Sequence, residues 1–112
     1  SFLGKWGSSG AGKGQFRCPW GMDFSRDGAY LYVSDCNNAR VQYFTPTGSF
    51  VGAFGTPGNG EGQFIWPQDV AFSPSGDRLY VADSRNHRIQ YFRWSAPAVS
   101  PASLGRVKAI FR

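Results

Sequence analysis

The 112-residue chain has the length of one small domain, and its 41% hydrophobic content excludes the disordered and fibrous classes. Ten Phe, five Tyr and four Trp beside fifteen Gly and seven Pro favour strands cut by frequent turns over helices. A net charge of +5 admits an acidic partner, but Arg106, Lys108 and Arg112 crowd the last stretch, where solubility and edge protection explain them better than recognition.

The chain repeats itself. Gly14-Gln15-Phe16 recurs as Gly62-Gln63-Phe64, a period of 48, and residues 1–46 match residues 49–94 without gaps at 22 of 46 positions, too many for chance. In chain order the strand-like runs are Phe2 to Trp6, Met22 to Ser25, Tyr30 to Ser34, Arg40 to Phe44, Phe50 to Phe54, Val70 to Ser73, Leu79 to Ala82 and Arg88 to Phe92. Asp27-Gly28 and Ser75-Gly76 supply tight hairpin turns, and Cys36 to Ala39 makes a four-residue turn after which the third strand returns antiparallel. Each repeat is therefore a four-stranded antiparallel meander.

The middle strands, Tyr30-Leu31-Tyr32-Val33 and Val41-Gln42-Tyr43-Phe44, are apolar on nearly both faces, so both faces must be covered. Radial stacking of the blades of a β-propeller does this, and the expected fold is all-β. Residues 1–6 are expected as the outer strand of a preceding blade, 7–54 as the first blade and 55–94 as the second. Residues 95–105, rich in Pro, Ala and Ser, read as a loop or linker, and 106–112 as a displaced fourth strand of the second blade. Closed propellers need about four to eight blades, so this partial propeller is expected to self-associate or to be completed by further blades of a longer chain.

Gly-x-Gly-Gln-Phe followed by Pro19 or Pro67, then Leu-Tyr-Val-x-Asp-x-x-Asn-x-Arg-(Val/Ile)-Gln-Tyr-Phe, resembles the NHL repeat, and Asn86-His87-Arg88 matches the triplet that names it. The first repeat departs from the triplet with Ala39, and the tail after Trp94 departs wholly. The resemblance implies propellers usually of six blades that serve mostly as interaction platforms: some tripartite-motif members bind RNA, others bind proteins, and a related amidating lyase is a metalloenzyme.

Asp35 and Arg40, and their copies Asp83 and Arg88, should face one another across a hairpin. Recurrence in one register makes them structural pairs rather than metal ligands or bases, with Asn38 and Asn86 taking the left-handed turn position. Gly10, Gly12 and Gly14 lack the strand-to-helix context of a phosphate loop, and their copies Gly58, Gly60 and Gly62 mark a connecting loop.

Function should lie where the repeats differ. Lys13/Glu61, Arg17/Ile65, Cys18/Trp66, Trp20/Gln68, Gly21/Asp69, Cys36/Ser84, Asn37/Arg85 and Ala39/His87 fall in two connections that a meander brings to the same end. Partner-binding candidates are therefore Arg17, Trp20, Trp66, Arg85 and His87, rather than the opposite end at the Asp27-Gly28 and Ser75-Gly76 hairpins. Trp20 and Trp66 either offer stacking surfaces, with Arg17 and Arg85 as charge partners, or plug the gap between blades, and the packing role is favoured. His87 is the single histidine, so no metal site, cofactor or catalytic triad is assigned. The expected function is a non-catalytic scaffold that binds a protein partner; RNA recognition by the same face is the alternative, and the lyase activity a remote third.

Cys18 and Cys36 are expected side by side, with reduced thiols favoured over a disulfide. No run of about 18 apolar residues is present, so the chain is expected to be soluble with no membrane partner; the compartment is open, with an intracellular setting favoured.

Overall fold

The first blade is built on its turns. Gly28, at φ 74°, donates its N–H to the Ser25 carbonyl at 2.8 Å and folds β3 (Pro19–Phe24) onto β4 (Leu31–Asp35). A 3-10 turn, Cys36–Asn38, then leads to β5 (Arg40–Phe44), and Thr45 to Ser49 leads to β6 (Phe50–Phe54). The four pair antiparallel in sequence order, with a bulge between Pro19 and Met22. β4 is buried along its whole length because apolar layers cover both its faces. A parallel bridge between β1 (Ser8–Ser9) and β2 (Gln15–Phe16) ties the connecting loop that precedes the blade.

The computed structural model describes residues 1–97. Forty-eight residues on, the pattern recurs: β7 (Thr56–Pro57) pairs with β8 (Gln63–Phe64), and β9 (Pro67–Phe72), β10 (Arg78–Asp83) and β11 (Arg88–Arg93) form a second antiparallel meander. This second blade shows three strands; its expected fourth strand, 106–112, and most of the loop 95–105 lie outside the described residues. Residues 1–6, expected as the outer strand of a preceding blade, form no ladder here, because a strand needs a neighbouring edge and they pair with none of the described strands of their own chain.

The core lies between the blades. Tyr32 and Val41 of the first blade pack with Phe64, Val70, Phe72, Leu79 and Val81 of the second. The Tyr32 ring stacks on Tyr43 at 4.6 Å and takes the edge of Phe72 at 5.1 Å, while its hydroxyl accepts from Trp94 Nε1 at 2.6 Å. Polar bonds also cross the joint: Asp23 Oδ2 accepts the Phe72 N–H at 2.9 Å, and Arg26 donates to the Phe72 carbonyl at 2.9 Å. The chain is thus an all-β partial propeller of two stacked blades.

Candidate partner-binding face

The two connections in which the repeats differ are hydrogen-bonded to each other. Cys36 and Asn37 donate their N–H groups to the carbonyls of Cys18 and Arg17 at 3.2 and 3.0 Å, and Ser84 and Arg85 do the same to Trp66 and Ile65 at 3.2 and 3.0 Å. Both connections therefore emerge at one end of the blades. Beneath that end lies a polar knot, built twice. Asp35, fully buried, accepts the Arg17 N–H through Oδ1 at 2.8 Å, and through Oδ2 accepts from Asn38 and Arg40, each at 2.9 Å. The remaining nitrogens of Arg40 donate to the carbonyls of Ala11, Gly12 and Gln15 at 3.0, 2.9 and 2.8 Å, which closes the glycine loop over the carboxylate. Asp83, Asn86, Arg88 and the loop from Asn59 to Gln63 repeat the arrangement. Burial alone pushes the Asp83 carboxyl up, but donors from Asn86, the Ile65 amide and Arg88 outweigh it and hold the group below its ordinary range.

This geometry corrects one expectation. The left-handed positions are not Asn38 and Asn86 but the next residues, Ala39 (φ 53°) and His87 (φ 55°). The Asn side chains are instead consumed by the knot, each bridging the carboxylate and a loop carbonyl, Gly10 or Gly58. Position 39 or 87 then closes the 3-10 turn through its own N–H, which leaves its side chain outside the network.

Above the knot, the residues that differ between repeats form a stack. Arg85 lies over the Trp66 ring at 4.6 Å, and Trp20 meets that ring edge-on at 6.3 Å and 67°. Trp66 is half-buried, whereas Trp20 is 57% exposed. Packing and display are thus divided between the two, where the sequence favours packing for both. Beside Trp20 a cleft of about 300 Å³ is walled by Gln68, Asp69 and Ala82 and floored by Gly21. Arg17 and His87 are exposed at this end without joining the stack. Cys18 and Cys36 are adjacent free thiols; the buried Cys36 donates to the Pro67 carbonyl of the second blade at 2.9 Å, and burial pushes its thiol up to about 12. Among the described residues no three His, Cys, Asp or Glu side chains converge as a metal site would require, and no helix is long and apolar enough to cross a membrane.

Residues 64–92, which run from the β8 Phe through β11, match the family described as the NHL repeat. Residues 64–92 of this chain carry an NHL repeat. A 43-residue stretch is 47% identical to the E3 ubiquitin-protein ligase TRIM71 of Rattus norvegicus, covering 38% of this chain and 5% of the ligase. The backbone also resembles a Bacteroides uniformis structure described as a 6-phosphogluconolactonase, with a TM-score of 0.59 and 22% identity over 71% of this chain and 24% of that one, a likeness of fold alone. The chain therefore spans a small part of either protein's length.

The NHL motif can be derived from the knot: its Asp, Asn, Arg and Gln are the groups that saturate one another and the loop, Gln42 accepting from Gly14 N–H at 2.9 Å and donating to the Gln15 carbonyl at 2.7 Å. Sequence comparison missed two features. Cys18 and Trp66 sit at φ 77° and 65°, a strained corner before Pro19 and Pro67 that no residue type signals. Divergence is also not confined to one end: Arg26, where the second repeat has Pro74, joins the blades at the opposite end, and the mismatch Arg26/Pro74 is the available signal.

Proposed function

We propose that this chain is a non-catalytic NHL-propeller module whose variable end binds a protein partner, as a scaffold within a larger assembly. The observation that carries the reading is the Arg85–Trp66–Trp20 stack beside the cleft at Gln68 and Asp69. At the positions of Trp66 and Arg85 the first blade has Cys18 and Asn37 and builds the same backbone turn, so the repeat fold does not require the stack. A half-exposed Trp steadied by a second Trp and an Arg is the residue set that dominates interface energetics. The repeated carboxylates support a binding role over a catalytic one, since Asp35 and Asp83 are already saturated by donors. RNA is the less favoured partner because Arg85 covers a face of the Trp66 ring on which a base would stack.

The test is quantitative affinity capture with the wild-type chain and with Trp20→Ala and Arg85→Ala variants, with and without nuclease. A set of proteins retained by the wild type, lost by both variants and indifferent to nuclease is expected. Retention by the variants would move the site elsewhere. Loss on nuclease treatment, with affinity falling by about 0.7 of a log unit per log unit of salt for each single-strand phosphate contacted, would favour RNA instead.

A further inference from the structure

Residues 2–6 and the outer edge of β11 are two halves of a strand pair left unmade among the described residues. Phe2 to Trp6 lies 48 positions before β6, and β5 lies 48 positions before β11. In the first blade β6 is the outer strand on β5, with Val41, Gln42, Tyr43 and Phe44 opposite Phe54, Ala53, Gly52 and Phe50. Carried over by the repeat, this register sets Ile89, Gln90, Tyr91 and Phe92 opposite Trp6, Lys5, Gly4 and Phe2. We propose that residues 2–6 of one copy of this chain complete the second blade of another copy as its outer strand, so that copies join head to tail into a propeller.

Gly4 is the first support. A Cβ on its counterpart Gly52 would lie 2.6 Å from Tyr43 Cζ, so the ring that crosses β6 demands glycine there, whereas a Cβ on Gly4 would meet nothing within 4 Å in its own chain. Tyr91 is the counterpart of Tyr43, and its ring across the paired strand supplies the missing reason. Trp6 is the second: it packs on Phe44 at 5.7 Å, as Phe54 packs on Phe92 at 5.4 Å, so Trp6 already holds, against its own first blade, the place that Phe54 of β6 holds against the second. The exposed faces match as well. Met22 and Phe24, 65% and 44% exposed, are the counterparts of Val70 and Phe72, which bury Val41 in the core between the blades; Ile89 and Tyr91, 61% and 60% exposed, are the counterparts of Val41 and Tyr43. Finally, Phe50 packs on the cluster of Leu31, Val33 and Phe44, and the counterparts Leu79 and Phe92 line a cavity of about 430 Å³, the position into which this register directs the 80% exposed Phe2 of the second copy. Rings of two, three or four such copies have four, six or eight blades, within the range of closed propellers.

Sedimentation over a range of concentrations tests this on the 112-residue chain, with Gly4→Val as the variant. The wild type should sediment as an oligomer; Gly4→Val should shift it to the monomer with its β circular dichroism kept, since position 4 meets nothing in its own chain. Second, Gly4→Cys with Tyr91→Cys, in a Cys18→Ser, Cys36→Ser background, should oxidise to a disulfide that joins isotopically light to heavy chains in a mixed sample. A wild type that stays monomeric throughout, an oligomer unmoved by Gly4→Val, or a disulfide formed only within single chains would overturn the proposal, as would pairing of β11 with the chain's own residues beyond 97.

Discussion

Arg88 and Asp83 face each other across the second hairpin of the second blade, Nε 2.9 Å from Oδ2, with the carboxylate fully buried and the guanidinium also closing the loop from Asn59 to Gln63. Removing the cation strands a buried anion and opens that loop at once. Arg88→Ala should lower stability by about 3–5 kcal/mol. Arg88→Lys should recover little of it, because an ammonium keeps the charge but cannot reach the carboxylate and three carbonyls together. Urea denaturation of both variants checks this; a Lys variant as stable as the wild type would show that charge alone suffices.

Acid should weaken the same knot. The folded-state pKa of Asp83 is depressed, so its contribution is complete above the ordinary carboxylate value of about 4 and is lost as pH falls through the depressed folded value. The urea midpoint is expected to fall as the pH is lowered below about 4. In Asp83→Asn that fall should be smaller, since the titrating group is gone. An equal slope in the two proteins would place the acid sensitivity elsewhere.

Much of this was legible before the structure because repeats expose constraint. The pairs Asp35–Arg40 and Asp83–Arg88 follow from their recurrence on either side of a four-residue turn. Contacts between unlike positions were not legible. Asn38 and Asn86 look like turn residues by type, and only their distances to Gly10 and Gly58 show that the side chain is bonded and the strained φ is passed to position 39 or 87. The Arg85–Trp66–Trp20 stack joins two blades and so lies outside any comparison made within one repeat.

The two thiols should differ in reactivity although their backbones touch. Burial pushes Cys36 up to about 12 and its thiol is engaged by the Pro67 carbonyl, whereas Cys18 is half-buried at the strained corner. Because the thiolate is the nucleophile, iodoacetamide at pH 8 should label Cys18 in the folded chain and leave Cys36 untouched until urea is added. Equal labelling of both in the folded chain, read by peptide mass spectrometry, would contradict this burial.

Gly21 ties the candidate face to the joint between the blades. Its copy in the second blade is Asp69, so the repeat itself accepts a side chain there. In the first blade it does not: a Cβ on Gly21 would lie 2.8 Å from the Asp69 Cα, and backbone at that distance cannot give way as a flexible side chain can. The Gly21 N–H is also held by Ser34 Oγ at 2.9 Å, so β3 cannot simply slide aside. Gly21→Ala should therefore spread the two inner strands and cost about 1–3 kcal/mol, the usual penalty for overpacking. The floor of the cleft beside Trp20 should move with it, so the variant should retain less of any protein captured through the proposed face, even when corrected for the folded fraction. Asp69→Gly, combined with Gly21→Ala, removes one of the colliding side chains but not the backbone contact, and should restore only part of the lost stability. Full restoration by the double variant would mean that the clash was with the carboxylate alone and that the strands are less closely packed than 2.8 Å implies.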